Sequence, residues 1–299
     1  MKISSIAAKL CLITTAVLSL ADVILRIISL FTCFDAEIGY FAPTLLSSVL
    51  VALPIAAALL AIAFSLLIPK NTLPTVWPEP ERDLSPVFPF ALFASGGMWL
   101  LWAAVTENTA GKLTILAGIL GLLSAFYYFI LFTAPTSKTR KPTLVAVMGY
   151  APILWGLVST AETYTDQFTT MNSPIKLSLQ FGFLGLMLMT TAELRFRLEK
   201  PAPRAAVCFH AIALFFCLSG GVSTLVAYTA GILDRSVHGA YAMVLLGGGI
   251  HAACRLTTYF FVSPNVPIKD LSEGNPPPTE EMTDITSDSP NDPNPTIVE

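Results

Sequence analysis

The chain has 299 residues, of which 54% are hydrophobic and only 12% are charged, and its mean hydropathy is +0.68. About a quarter of the residues of a soluble domain are charged, so this composition argues against a water-soluble protein and predicts one that resides in a membrane, with membrane lipids as partners. The formal net charge of -3 gives no reason to expect a nucleic-acid partner.

Long stretches without a charged residue recur along the chain, and each is closed by a polar segment. Two examples run from Glu37 to Lys70 and from Arg204 to Asp234. Because about 20 residues of helix cross the hydrocarbon layer, we predict an all-α, polytopic transmembrane helical bundle over residues 1–263. It should contain about eight spans, at residues 8–32, 40–69, 86–105, 113–133, 143–160, 175–193, 205–229 and 240–262.

Lysine and arginine are distributed unevenly among the connecting segments. With a cytoplasmic N-terminus, the outside loops hold only Lys112, Lys176 and Arg235 of the 17 basic residues. Translocation of positive charge is disfavoured, so both termini are predicted to be cytoplasmic. The composition resembles that of polytopic proteins of bacterial cytoplasmic membranes, and we expect the same location here.

The first span has a second interpretation. Lys2 and Lys9, followed by an apolar stretch that ends at Ser19-Leu20-Ala21, also fit a cleaved signal peptide, which would leave seven spans in the same orientation. Apolar sequence resumes from Val23 to Phe34, which favours a retained helix of spanning length.

The composition changes abruptly after residue 263. Residues 264–299 are rich in proline and acidic side chains and have too little apolar surface to repay the entropy of folding. We predict a disordered, acidic, proline-rich cytoplasmic tail.

The sequence contains no motif of a cofactor, a metal site or a known catalytic centre. It lacks H-E-x-x-H, G-x-S-x-G and the phosphate-binding G-x-x-x-x-G-K-[ST] pattern. Its five cysteines form no close pair and no metal-ligand spacing. No metal, cofactor or disulfide is predicted, and an enzyme is not favoured.

Asp22 and Arg26 are the first ionisable pair inside a predicted span. Residues four apart share a helix face, so the two side chains can neutralise each other. The functional alternative is that they line an outer cavity and bind a solute.

The last span contains His251 and Arg255, again four apart, but no acid on the same helix. Glu193 ends the sixth predicted span at a similar depth, and His210 lies a few residues into the seventh. Arg255 is predicted to snorkel to the lipid head groups or, less readily, to reach Glu193. Glu193, Arg195, His210 and Arg255 are the predicted inner polar cluster, while His251 is expected near mid-membrane as a neutral imidazole.

Prolines and glycines interrupt several spans. Pro54 and Pro152 fall near the middle of spans, where proline removes a helical hydrogen bond and kinks the chain. Glycines at several positions within spans favour close helix packing; they are Gly96, Gly97, Gly118, Gly121, Gly182, Gly185, Gly220, Gly221, Gly247, Gly248 and Gly249.

Three classes of function follow from the buried polar residues. A small-molecule transporter or permease is favoured, since an ionisable group in a span is costly and function is one reason to keep it. Its binding residues would be drawn from Asp22, Arg26, Glu193, His210, His251 and Arg255. A non-catalytic sensor, assembly or interaction protein predicts a closed bundle with satisfied polar groups. An intramembrane enzyme predicts that His210 or His251 meets Glu193 at hydrogen-bonding distance.

Overall fold

The computed structural model describes residues 2–35, 37–68, 84–107, 111–133, 142–167, 170, 173–198 and 200–261. Within these ranges the chain forms one short hairpin and eight α-helices: α1 Lys2–Thr32, β1 Phe34–Asp35, β2 Tyr40–Phe41, α2 Leu45–Leu67, α3 Val87–Thr106, α4 Lys112–Thr133, α5 Pro142–Thr165, α6 Pro174–Arg197, α7 Pro203–Thr229 and α8 Ser236–Phe261. Each helix contains a segment long and apolar enough to cross a membrane. The chain is a multi-pass membrane protein, and the predicted all-α bundle is confirmed. The predicted tail at 264–299 lies outside the described residues.

The second helix begins later than predicted. The span expected from residue 40 starts at Leu45, because residues 34–41 form an antiparallel hairpin in which Asp35 pairs with Tyr40. Gly39 turns the chain with a φ of 74°, a conformation that glycine adopts without steric cost. Thr44 then starts α2 through a capping box with Ser47, which satisfies backbone N–H groups at the helix start.

Two helices extend further than the predicted spans. α5 runs to Thr165 and α6 to Arg197, so Glu162 lies inside α5 and Glu193 lies inside α6. The predicted span ends at 160 and 193 lie five and four residues before the ends of these helices. Both carboxylates are buried, and side chains of neighbouring helices supply their partners, as described below.

Six helices form a closed arrangement. From α3 to α8 each helix packs against the next along the chain, and α8 packs back against α3. α1 and α2 pack against each other and against α7. Apolar side chains such as Val105 and Leu45 are exposed on the outside of the bundle, as expected where lipid takes the place of water.

An aromatic layer fills the interior of these six helices. Phe93 of α3, Tyr128 of α4, Trp155 of α5, Phe183 of α6 and Tyr241 of α8 are all fully or almost fully buried. Trp155 contacts three of them edge to face, with ring centroids 5.1–5.7 Å apart, the geometry that the ring quadrupole favours. Pro152 lies inside α5 one turn before Trp155.

Glycines allow the helices to approach closely, as the sequence predicted. A Cβ added at Gly220 of α7 would lie 2.6 Å from the carbonyl oxygen of Ser178 on α6. One added at Gly97 of α3 would lie 3.0 Å from the carbonyl oxygen of Gly118 on α4. Because the obstructing atoms belong to the backbone, a larger residue at either position must push two helices apart.

We expect Gly220→Ala to destabilise the bundle by about 1–3 kcal/mol, since the added methyl group overpacks the contact of α6 with α7. The free energy of unfolding, measured by denaturation in detergent, checks this. Gly111→Ala is the matched control, because a Cβ there meets no atom within 4 Å. Equal stability of the two variants would contradict the assigned contact.

Candidate functional site

Glu193 lies on the face of α6 that points into the bundle. Leu186, Met189, Thr190 and Glu193 follow one another at the three- and four-residue spacing of a single helix face, and all are buried. Ser173 caps the start of this helix by accepting a hydrogen bond from the Lys176 N–H. This buried face of α6 therefore places the Glu193 carboxylate in the interior between α6, α7 and α8.

Three basic side chains converge on one oxygen of this carboxylate. Glu193 Oε1 lies 2.8 Å from His251 Nε2, 3.2 Å from Arg255 Nε and 3.5 Å from His210 Nε2. His210 belongs to α7, and the other two belong to α8. Both histidine rings are fully buried and Arg255 is 2% exposed. We call Glu193, His210, His251 and Arg255 the Glu193 cluster.

Backbone carbonyl groups hold the second nitrogen of both histidine rings. His251 Nδ1 lies 3.0 Å from the carbonyl oxygen of Ser85, just before α3. His210 Nδ1 lies 2.7 Å from the carbonyl oxygen of Ala206, one turn earlier on its own helix. These contacts fix the ring orientations so that both Nε2 atoms point at Glu193.

Several expectations for these residues are corrected. Arg255 does not snorkel to the lipid head groups but is buried against Glu193, which is itself buried among the helices. His251 is not isolated, since it makes the shortest contact of the Glu193 cluster. Arg195 is exposed and donates a hydrogen bond to the Lys200 carbonyl oxygen, so it does not join the cluster. The sequence could not reveal these contacts because they join three different helices.

Asp22 and Arg26 lie elsewhere, where α1 packs against α7. Arg26 Nε lies 2.6 Å from Asp22 Oδ2, the expected pairing within one helix. The same oxygen accepts a hydrogen bond from Ser219 of α7. Ser219 lies about 14 Å beyond His210 along the axis of α7, from 1.5 Å per residue. The structure thus does not bring Asp22 and Arg26 together with the Glu193 cluster, and their contacts tie α1 to α7.

Glu162 forms a second buried acidic site that the sequence analysis missed. Its Oε1 accepts a hydrogen bond of 2.5 Å from the Thr114 hydroxyl of α4, and its Oε2 accepts one from the Tyr241 hydroxyl of α8. We call these three residues the Glu162 cluster. The available signal was the spacing of Trp155, Ser159 and Glu162, which places all three on one helix face.

Charged residues also join the helix ends next to the Glu162 cluster. Arg235, just before α8, lies 2.6 Å from Asp166 Oδ1, just after α5. Glu107, at the end of α3, accepts a hydrogen bond of 3.1 Å from the backbone N–H of Ser236, the first residue of α8. A carboxylate at a helix N-terminus is favoured by the helix dipole, so these contacts fasten this end of the six-helix arrangement.

A continuous series of side-chain contacts connects the two clusters through the aromatic layer. The series starts at Glu162, which accepts a hydrogen bond from the Tyr241 hydroxyl. The ring centroid of Tyr241 lies 5.7 Å from that of Trp155, and the centroid of Trp155 lies 5.1 Å from that of Phe93. Phe93 stacks on Tyr128 with ring centroids 5.6 Å apart, and the ring centroids of Tyr128 and His251 are 5.4 Å apart. Tyr241 and His251 are about 15 Å apart along α8, from 1.5 Å per residue. The interior therefore contains two acidic sites at different depths with aromatic side chains between them.

Several polar atoms along this path make no hydrogen bond within the described part of the chain. They include Trp155 Nε1 and Glu193 Oε2, both of them buried. Burying such a group without a partner costs about 1–3 kcal/mol. These atoms are available to a polar molecule that enters the interior.

No group of three His, Cys, Asp or Glu side chains placed to hold a metal ion occurs among the described residues. In the Glu193 cluster, the Arg255 guanidinium already occupies the neighbourhood of the carboxylate. The absence of a cofactor and the binding role of the six candidate residues remain predictions.

The fold and the buried clusters define a multi-pass integral membrane protein with ionisable groups inside the bundle. No known family, curated protein or solved structure matches this chain.

We expect Arg255→Leu to lower the free energy of unfolding by about 3–5 kcal/mol, because it leaves the Glu193 carboxylate buried without its guanidinium partner. Denaturation in detergent measures the change. Replacing Glu193 as well, in Glu193→Leu with Arg255→Leu, should recover part of the loss. Arg195→Leu, on the exposed side of α6, is the control, with a change within about 0.5 kcal/mol. A similar small change for Arg255→Leu would contradict the pairing.

Proposed function

We propose that this protein transports a small polar solute through the interior of α3–α8. The observation that carries the proposal is the set of buried polar atoms without hydrogen-bond partners between the Glu193 and Glu162 clusters. A solute with hydrogen-bonding groups would satisfy Trp155 Nε1 and Glu193 Oε2. The packed bundle leaves them unsatisfied at a cost.

The two acidic clusters support transport because they lie at different depths of one interior. The aromatic layer separates them, and its rings are packed in contact with one another. A solute bound on one side of this layer reaches the other side only when the rings move apart. The arrangement fits alternating access, in which each cluster faces one side of the membrane in turn.

Local backbone features next to the aromatic layer support such a movement. Pro152 removes a backbone hydrogen bond from α5 beside Trp155. On α8, residues Gly247, Gly248 and Gly249 lie between Tyr241 and His251. Helices bend most readily at proline and at runs of small residues. We therefore expect α5, which carries Glu162, and α8, which carries Tyr241 and His251, to bend near the aromatic layer.

One observation favours a second candidate, an intramembrane enzyme. His251 Nε2 lies 2.8 Å from Glu193, the distance expected of a general acid–base pair. A purely structural protein is less well supported, since it predicts that the buried polar side chains satisfy one another. The unpartnered atoms named above argue against that.

A mass-spectrometric assay in proteoliposomes separates these functions. Vesicles are loaded with a mixture of small metabolites, and the amounts inside and outside are followed with time. For a transporter we expect at least one solute to leave at least about tenfold faster than from protein-free vesicles, with its total amount unchanged. A loss in the total amount, with a new product, would overturn transport in favour of the enzyme.

Glu193→Gln removes the charge of the central carboxylate and is expected to slow this efflux at least about tenfold, while Arg195→Gln, on the exposed side of the same helix, keeps the wild-type rate. No protein-dependent movement of any solute, from protein whose folding is verified by its thermal transition, would overturn the proposal.

A further inference from the structure

The contacts of His251 require more protons than a neutral imidazole has. A neutral ring has one N–H donor and one acceptor nitrogen. Here Nδ1 faces the carbonyl oxygen of Ser85 at 3.0 Å, and Nε2 faces the carboxylate of Glu193 at 2.8 Å. Both partners are acceptors, so a neutral ring beside an ionised carboxylate can satisfy only one of them.

One additional proton resolves this mismatch. If the proton is on the ring, the imidazolium donates to Ser85 and to Glu193. If it is on Glu193, the carboxylic acid donates to Nε2 while Nδ1 donates to Ser85. The remaining arrangement, a neutral ring with its proton on Nε2, turns the Nδ1 lone pair towards the Ser85 carbonyl oxygen and loses that hydrogen bond.

Titratable and charged side chains of the neighbouring helices also face the site. Arg255 Nε lies 3.2 Å from Glu193 Oε1. The other such groups among the described residues are the hydroxyls of Tyr127 and Tyr128 from α4, Arg197 from α6 and His210 from α7. Within this charged environment, the two hydrogen bonds of His251 favour the additional proton in the packed state.

We infer that Glu193 and His251 form a proton-binding centre whose proton is the ion coupled to transport. The coupling role rests on the proposed transport function, while the proton site stands on the geometry alone. With the proton bound, His251 holds α6, α8 and the segment before α3 together. Once the proton leaves, the hydrogen bond to Glu193 or to Ser85 is lost, and these elements can separate.

Nitrogen-15 NMR of histidine-labelled protein in lipid nanodiscs tests the inference. Three histidines are present, and the assignment uses His210→Gln and His238→Gln, so it does not depend on a variant at His251. At neutral pH we expect His251 to show either an imidazolium or a ring protonated at Nδ1 with Nε2 accepting a strong hydrogen bond. On raising the pH, this signal should convert to that of a neutral ring without that bond.

Glu193→Gln is the decisive variant, because its amide N–H can donate to Nε2 while it has no ionisable proton. It should hold His251 as a neutral ring protonated at Nδ1, and the pH-dependent conversion should disappear. His238→Gln, away from the cluster, should leave the conversion of His251 unchanged. A His251 ring protonated only at Nε2 across the whole titration would overturn the inference, as would an unchanged conversion in Glu193→Gln.

These outcomes are independent of transport. If the His251 signal changes with pH but no solute moves in proteoliposomes, the transport proposal is contradicted and the proton site is supported. If a solute moves but the His251 signal does not change with pH, the proton site is contradicted and the transport proposal is supported.

Discussion

The structure depends on one constraint: a carboxylate inside a membrane bundle has to find its donors within the protein. Water is absent from the hydrocarbon region, and an isolated ionised group there costs far more than any single packing contact provides. Glu193 meets this constraint by drawing His210 from α7 and both His251 and Arg255 from α8 to one oxygen atom. Because the three contacts are directional, they fix the rotation and axial position of α6, α7 and α8 more narrowly than apolar packing does.

The second buried carboxylate meets the same constraint by different chemistry. Glu162 is held by the hydroxyls of Thr114 and Tyr241, which can both donate and accept. Hydroxyl partners therefore suit either an ionised or a protonated acid, whereas the guanidinium of Arg255 favours the ionised form of Glu193. The interior thus contains a site rich in basic groups near Glu193 and one with neutral hydrogen-bonding partners at Glu162. The aromatic layer between them keeps these two environments separate.

The sequence predicts those features that depend on local periodicity. The number of spans follows from the uncharged runs, and the Asp22–Arg26 pair follows from four-residue spacing on one helix. Helix packing at Gly220 follows from its small size. The burial of Glu162 and Glu193 could not be predicted, because their partners lie on other helices and a local pattern does not show those partners. Thr114 and Tyr241, which donate hydrogen bonds to the buried Glu162 carboxylate, are 48 and 79 residues from it in the chain.

Stability alone does not account for the polar interior. Replacing a buried ion pair by apolar side chains of similar volume is often neutral or even stabilising, although removing a single partner is costly. An apolar set at Glu193, His251 and Arg255 would pack against the aromatic layer and would also remove the unsatisfied Glu193 Oε2. The actual side chains instead place the His251 ring between two hydrogen-bond acceptors, the Glu193 carboxylate and the Ser85 carbonyl oxygen, and in contact with Tyr128 of the aromatic layer. In the proposed proton site, the hydrogen bonds that need the proton are those that hold α6 and α8 against the segment before α3.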